Sequence, residues 1–560
     1  MTTSAASRYR ALEALPRERT SMLPALHAIA EADGWVSPEG LAAVSRHLRV
    51  PNSELYGIAR SYNELRFEPP GGTPIEVCTG LSCRLAGADA LAEDIRASGD
   101  STVEVREVAC RFRCAEGPVV SVAHRYIAPA DASTALTAAE PRRRRRTHAK
   151  RTVRRVRRAE VRRLMAHLGA PSDLESVRVR GAYAGLDAAR AMTGEAATEV
   201  VAASGLRGRG GAYFPTGVKW QSARAFEGPR YLVVNAEEGE PGVFKDRTLL
   251  ERDPHLVVEG LLIATHAIEA ERCFVYLNGE ADAAASALSS AIDEASAAGL
   301  LGGTDVEVRR GAGGYVCGEE SVILSSIEGE RAVPRLKPPL PVERGLWGRP
   351  TVINNVETLA NLPSIFLDGV ESFRSVGTAE QPGTKLISLS GAVARPGLYE
   401  VPLGTTLRAV LEDLGGGGRG GHEIRAVVAG GPSGGLLPPS RFDVALLGGS
   451  LDPGGAALGA GGIVAIDDSM PLLEIVRHLA AYNAAESCGK CTPCREGTPR
   501  MRNLLGEIAS GEAPADALEL LDALDEAMSS ASLCGLGQMA ALPYRSARTH
   551  FLEVLTGGMR

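Results

Sequence analysis

Three cysteines at i, i+3 and i+6, Cys488-Gly-Lys-Cys491-Thr-Pro-Cys494, followed much later by Cys534 in LCGLGQ, constrain this chain more than any other feature. Three close thiolates and a distant fourth are the usual way to cap the corners of a [4Fe–4S] cube, so the fold must return the second segment to the first. Zinc normally takes two Cys-x2-Cys pairs and fits an evenly spaced triplet less well. A second set, Cys78-x4-Cys83 with Cys110-x3-Cys114, flanks a strand–helix–strand stretch. Two thiolate pairs gathered by a fold hold either a [2Fe–2S] cluster or one zinc, and the spacing leaves both open. Cys273 and Cys317 stand apart in ordinary fold sequence.

At 560 residues the chain exceeds the roughly 250–300 at which a single core stops growing, so two to four domains are expected. With 44% hydrophobic and 23% charged residues, the composition is that of a soluble globular protein rather than a disordered or fibrous one. The best apolar run, LVVEGLLIATHAI, is broken by Glu259 and His266 and is too short to span a bilayer. The start carries no apolar core of the length a secretory signal needs, so a cytoplasmic location is expected. There thiols stay reduced, and clustered cysteines point to metal rather than disulfides. The formal charge of -7 hides an asymmetry: from Arg142 to Arg163 there are thirteen Lys or Arg and one Glu, a net of +12, which leaves -19 on the remainder.

Residues 1–72 read as a small helical cap, with Ser37-Pro38-Glu39-Gly40 as a cap-and-first-turn signal leading into LAAVSRHLRV. Residues 73–140 alternate short strands (PIEVCTG, TVEVREVAC) with a helix, ADALAEDIRA, and form a small α/β unit. The basic stretch 141–165 reads as an inter-domain linker that can touch an acidic partner. A nucleic-acid surface is the other reading, but aromatics for base stacking are absent. From 166 to 380, apolar strands such as YLVVNA and CFVYLNG alternate with Ala-rich helices, the pattern of an α/β sheet covered by helices. Strands dominate 381–470 around one helix, LRAVLEDL, and 471–560 is largely helical.

Gly205-Leu-Arg-Gly208-Arg209-Gly210-Gly211-Ala-Tyr213-Phe214-Pro-Thr-Gly217 is a glycine-rich loop whose backbone N–H groups and two arginines suit a nucleotide phosphate. The Rossmann template fails, because Tyr213 stands where its third glycine belongs. GAGGYVCGEES follows at 311–321, and Asn235-Ala-Glu237-Glu238-Gly-Glu240 gathers three carboxylates beside further glycines.

Taken together, GRGGAYFPTGVKW, VVNAEEGEPGVFKDR, GAGGYVCGEES, RLKPP, PTVINNVETL and ESCGKCTPCREGT with LCGLGQ resemble the FMN- and NADH-binding flavoprotein subunit of respiratory complex I and its diaphorase relatives, over about 170–560. The first 140 residues resemble the family's small thioredoxin-like [2Fe–2S] subunit, including GWVSPEGL and both cysteine pairs, so the chain looks like a fusion of the two. The resemblance implies a multidomain α/β protein: a thioredoxin-like [2Fe–2S] domain, an FMN-binding α/β domain, a β-grasp domain at 381–470 and a C-terminal helical bundle with [4Fe–4S]. It assigns FMN to Gly208, Arg209, Gly210, Gly211, Lys219, Asn235, Glu319, Asn354 and Asn355. NAD(H) goes to Phe214, Glu240, Glu320 and Lys337, with Glu237 and Glu238 in the same cofactor site. Cys488, Cys491, Cys494 and Cys534 are implied as four-iron ligands, and Cys78, Cys83, Cys110 and Cys114 as two-iron ligands.

Nicotinamide yields two electrons together as hydride and an iron–sulfur cluster takes one, so a flavin belongs between them and no side chain need act as acid, base or nucleophile. Four positions depart from the family pattern: Tyr213 replaces a glycine, Glu237 an aspartate, and Ser222 and Leu340 aromatics. Tyr213, beside Phe214, is expected to restore one ring face to the dinucleotide. The fusion, without further ferredoxin-type cysteine sets, suggests the beta subunit of an NAD-dependent formate dehydrogenase, partnered by a catalytic iron–sulfur/molybdenum subunit. The diaphorase subunit of an NAD-reducing hydrogenase and the flavoprotein subunit of complex I are the alternatives, and a nucleic-acid-binding scaffold is the reading outside that class.

Overall fold

Four helices, Arg10–Glu13, Met22–Asp33, Pro38–Leu48 and Asn52–Ala59, come first among the described residues of the computed structural model, which are 8–123, 125–140 and 163–557. Ser37 accepts a hydrogen bond from the Gly40 amide at 2.9 Å, and Pro38, whose missing N–H costs nothing in a first turn, follows it. So few helices cannot enclose a core. Leu26, Ile29, Val44 and Leu55 instead share one cluster with Val233, Phe274, Ile323 and Ile353, and the Tyr62 and Tyr276 hydroxyls both meet Ser326 Oγ, at 2.8 and 2.9 Å. The cap therefore packs on the sheet of the large α/β unit.

The small α/β unit is a sheet of β1 (Thr73–Cys78), β2 (Val103–Val108), β3 (Val120–Val122) and β4 (Arg125–Ile127), in the order β2-β1-β3-β4. The parallel pair β1/β2 is joined by helix Ala88–Ala97, the crossover that parallel strands require. The basic segment lies outside the described residues from 141 to 162, and with it the linker, acidic-partner and nucleic-acid readings. The chain resumes where the amides of Arg163, Leu164 and Met165 converge on the buried Glu400 carboxylate at 2.9–3.1 Å.

The large unit holds β5 (Arg230–Ala236), β6 (Ala270–Leu277), β7 (Asp305–Arg310) and β8 (Thr351–Asn355), all parallel, ordered β7-β6-β5-β8. Helix Pro254–Ile268 covers one face and Glu320–Ile327 with the cap helices the other. Coverage on both faces explains the continuous apolar stretches Leu232–Val234 in β5 and Cys273–Leu277 in β6, which do not alternate. Cys273 and Cys317 are fully buried in these two cores.

A five-stranded mixed sheet follows: β9 (Thr384–Gly391), β10 (Gly397–Pro402), β11 (Ala426–Ala429), β12 (Gly435–Leu437) and β13 (Gly462–Ile466), ordered β10-β9-β13-β11-β12 with only β9/β13 parallel. Helices Leu472–Ala485, Thr492–Ser510, Ala517–Ala531 and Leu542–His550 close the chain, packing Ile475, Val476 and Leu479 against Val428, Val464 and Ile466. Among the described residues no helix is long and apolar enough to cross a membrane.

Candidate cofactor crevice and cysteine clusters

β5 and β8 are parallel neighbours, and their carboxyl ends open the crevice where α/β sheets bind ligands. Asn235 is the penultimate residue of β5, Asn354 and Asn355 end β8, and Asn235 pairs in register with Asn355. The glycine-rich loop lies against this edge. An added Cβ on Gly210 would stand 3.0 Å from Asn355 Cβ, and Gly211 has φ +122, so the close approach depends on both glycines. The Gly208 amide donates to Phe214 O at 2.9 Å, closing the loop on itself before helix Thr216–Arg224. On that helix Lys219 Nζ donates to Ile353 O at 3.1 Å and stands 3.9 Å from Glu320, while burial pulls its pKa down. Trp220 Nε1 fixes Asn354 Oδ1 at 2.8 Å.

The loop arginines do not reach into the crevice, which corrects the phosphate role expected of Arg209. Its guanidinium is buried and donates to the carbonyls of Arg207, Pro382 and Thr384 at 2.8–3.0 Å, and its amide to Thr358 Oγ1 at 2.8 Å. A buried cation must find acceptors, and the carbonyls before β9 supply them. Arg207 is likewise tied to the carbonyls of Glu380 and Tyr213. Glu238 is a second correction: its carboxylate takes the amides of Asp246 and Arg247 at 2.6 and 3.0 Å, at the N-terminus of helix Lys245–Arg252, where a negative charge meets the helix dipole.

Glu237 and Glu240 behave differently. Asn278 donates to Glu237 Oε1 at 2.5 Å, yet Glu237 Oε2 and Glu240 Oε1 are buried without a partner among the described residues. Burial pushes the Glu237 carboxyl up to about 8 and that of Glu240 to about 7, with Lys245 and Lys385 pulling Glu240 back down. Orphaned buried oxygens are costly unless a ligand donor meets them, and flavin and nicotinamide both carry N–H groups. Glu319 caps helix Glu320–Ile327 through the Ser321 and Val322 amides, and Lys337 Nζ bridges Glu319 and Glu320 at 2.7 and 2.8 Å. Phe214, Val218, Leu336 and Leu340 are exposed.

Tyr213 overturns its expectation. Its φ is +52, its ring is 4% exposed in the core of the five-stranded sheet with Ile387, Leu389 and Val401, and its hydroxyl donates to Gly459 O at 3.2 Å. An added Cβ on Gly448 would fall 2.1 Å from Tyr213 Cγ, so glycine there makes room for the ring. It fills space inside the fold and gives no face to the dinucleotide. Ser222 Oγ folds back onto Val218 O.

Beneath Asn355 sits a network the sequence reading missed. Lys245 Nζ donates to Asn355 Oδ1 at 3.0 Å and to Asp246 Oδ1 at 2.8 Å, and lies 3.1 Å from Glu357 Oε2, which also receives Lys385 Nζ. Glu357 Oε1 takes the Leu386 amide at 2.8 Å. Charged residues within strand- and helix-forming segments, Glu357 in INNVETL and Lys385 in TKLISLS, were the available signal.

The later cysteines converge. Cys491 precedes helix Thr492–Ser510, Cys494 lies in its first turn, Cys488 stands before the turn made by Gly489 (φ +73), and Cys534 precedes helix Gly535–Met539. All four line one pocket with Val316, Pro334 and Leu536. Burial pushes the Cys534 thiol up to about 11, a penalty that binding to cationic iron relieves. The earlier set also gathers: Cys78 ends β1, Cys83 lies in turn Leu81–Arg84, and Cys110 Sγ stands 3.8 Å from Cys114 Sγ. Hydrogen bonds from Cys110 and Cys83 lower the Cys78 thiol; the bond with Cys78 raises Cys83, and bonds with Cys114 and then Cys78 raise Cys110. A Cβ on Gly80 would lie 3.6 and 3.7 Å from the Cys78 and Cys110 sulfurs. Among the described residues no three such side chains are drawn around a single-ion point.

The loop Gly311–Ser321 connects these places. Asn235 Nδ2 donates to Gly318 O at 2.9 Å, Val316 lines the four-cysteine pocket, and Glu319 holds Lys337.

Four stretches of the chain match models of known protein families. Residues 9–140 match the thioredoxin-like [2Fe-2S] ferredoxin, 201–364 the Nuo51 FMN-binding domain, 386–437 the SLBB domain and 474–556 the NADH-ubiquinone oxidoreductase-F iron–sulfur binding region. The F subunit of NADH-quinone oxidoreductase in Aquifex aeolicus (strain VF5) is 42% identical over 67% of this chain and 88% of its own. The F 2 subunit of the same enzyme in Rhizobium meliloti (strain 1021) is 46% identical over 63% and 86%, and the HndC subunit of the NADP-reducing hydrogenase of Solidesulfovibrio fructosivorans 42% identical over 67% and 78%. A chain of an NAD+-reducing [NiFe]-hydrogenase crystal structure in the H2-reduced state matches with TM-score 0.85 and 33% identity over 97% of this chain and 93% of that one. The chain thus carries [2Fe–2S], FMN and [4Fe–4S] domains and is an oxidoreductase.

Proposed function

We propose, for a chain that belongs to the F-subunit family of NADH-quinone oxidoreductases, that it exchanges hydride with NAD(H) and single electrons with partner subunits. FMN, when bound, takes hydride from NADH and passes electrons on singly. The backbone of Gly208, Gly210 and Gly211 with Asn354, Asn355 and Lys219 would hold its ribityl phosphate, and Asn235 and Glu237 would face its ring. Phe214, Glu240, Glu320 and Lys337, with Glu319 holding Lys337 in place, would seat the dinucleotide. Cys488, Cys491, Cys494 and Cys534 would ligate the four-iron cluster, and Cys78, Cys83, Cys110 and Cys114 the two-iron cluster. The observation that carries this reading is the loop Gly311–Ser321, which supplies an acceptor to Asn235 at one end of its turn and a wall of the four-cysteine pocket from the same turn. Chemistry at the crevice needs no proton donor of its own, so these side chains bind and orient.

The partner we infer is a formate-oxidising catalytic subunit, in a cytoplasmic hetero-oligomer. The fused two-iron and flavin portions favour it, and so does the count of ten cysteines, which leaves only the buried Cys273 and Cys317 beyond the two sets. Whole-chain likeness to the NAD+-reducing [NiFe]-hydrogenase favours a second reading, in which the partner oxidises H2. Purifying the native complex and assaying molybdenum, nickel and NAD+ reduction by formate or H2 separates them: molybdenum with formate activity supports the first, and nickel with H2 activity replaces it.

A further inference from the structure

Two half-buried tyrosines lie between residues of the first cysteine set and the crevice. Tyr482, on helix Leu472–Ala485, lines a cavity together with Gly80, Ser82, Cys114, Pro241 and Gly242. Its hydroxyl donates to Gly239 O at 3.4 Å. Its ring meets that of Tyr315 edge to face, with centroids 6.1 Å apart at 68°. Tyr315 opens the turn Tyr315–Gly318 whose last carbonyl holds Asn235, and its amide donates to Glu486 Oε2 at 2.7 Å. Burial pushes both hydroxyls well up, so both stay protonated.

We propose that Tyr482 and Tyr315 are the bridge along which single electrons pass between the two-iron centre and the flavin crevice. The inference rests on the ligand assignments above. In the step one electron leaves the reduced centre and arrives at the oxidised one; no bond forms or breaks, both tyrosines keep their protons, and NADH is the ultimate reductant or NAD+ the ultimate oxidant. Cys114, Tyr482 and Pro241 line one cavity, so the Tyr482 ring stands at the wall that residues of the first cysteine set share with the run leading out of β5. The edge-to-face ring pair leads from that wall to the turn that holds Asn235.

Freeze-quench EPR of the holoprotein tests this, following the two-iron signal after mixing with NADH and, in dithionite-reduced protein, after mixing with NAD+. Tyr482→Leu is expected to slow both by several-fold while flavin reduction, FMN content and the two-iron midpoint potential stay at their original values; Tyr482→Phe, which keeps the ring, is expected to keep the rate. Tyr482→Met serves the same purpose if the leucine variant fails to load its centre. Unchanged two-iron rates in these variants overturn the bridge, as does slowing that tracks a shifted potential, since the ring would then tune the centre rather than connect it. A holoprotein with no two-iron signal before any substitution refutes the ligand assignment instead.

Discussion

Glu357→Gln removes one of two carboxylates that balance two buried lysines, and the consequence can be worked out. Lys245, Lys385, Asp246 and Glu357 are buried together, and Glu357 Oε2 receives both ammonium groups. With Gln, the cluster passes from neutral to a net positive charge with no water to solvate it, and breaking a buried pair from one side costs about 3–5 kcal/mol. With unfolding entropy of about 2.1 cal/mol/K per residue and a cooperative unit of roughly 300 residues, Tm falls by about 5–8 °C. The loss also depends on pH. Burial already holds Lys385 down to about 8 against its ordinary 10.5, and removing its partner lowers it further. A lysine whose folded pKa is depressed penalises the fold fully below that pKa, and the penalty fades as pH rises toward 10.5. The deficit of Glu357→Gln should therefore narrow from neutral pH upward. Scanning fluorimetry of both proteins across pH reads this directly. Lys385→Met should cost less, because Lys245 keeps Glu357. A Tm change within about 1 °C for Glu357→Gln, or a deficit that widens with pH, would refute the reasoning.

Cys491→Ser should remove the four-iron EPR signal while leaving FMN bound and reducible by NADH, with transfer to the partner falling by orders of magnitude. Cys83→Ser should remove only the two-iron signal and lower turnover with the partner by less than about tenfold; complete loss of turnover in an FMN-loaded variant would put that centre on the obligatory route. Tyr213→Gly should leave NADH affinity unchanged and destabilise the protein by about 2–4 kcal/mol, a large-to-small cavity cost less the relief at positive φ, read by urea unfolding against an NADH titration of flavin bleaching. Glu237 and Glu240, raised to about 8 and about 7, hold protons that the unfolded chain releases near its ordinary 4.5. These groups therefore make apoprotein stability decline from about pH 5 to 8, by up to about 1.4 kcal/mol per pH unit per proton, and Glu237→Gln with Glu240→Gln should flatten that decline.

Much of the architecture was legible because the relevant physics is local. Parallel strands covered on both faces must be apolar, and YLVVNA and CFVYLNG announce that. Cap chemistry at Ser37 and cysteine spacing are written in adjacent residues. What depends on distant surfaces was not. That the N-terminal helices stand on the large sheet follows from Leu26 and Ile29 meeting Val233 and Phe274, a match between segments that no window contains. A glycine-rich loop promises exposed arginines, yet Arg209 is claimed by carbonyls before β9, and Tyr213 by a sheet that begins far along the chain. Glu238 looked like part of a ligand-binding carboxylate run, but the helix starting at Lys245 takes it. Glu357 and Lys385 were visible only as charges within structured segments, and their pairing needed the fold.

Anaerobic titration of the reconstituted protein with NADH, followed together in the flavin visible band and by low-temperature EPR, tests the central claim most directly. The account predicts that NADH bleaches a bound flavin and that the reduced protein carries two distinct iron–sulfur signals, one absent in Cys491→Ser and the other in Cys83→Ser. A protein that binds no flavin, a flavin that NADH leaves oxidised, or one signal abolished by either substitution would contradict it.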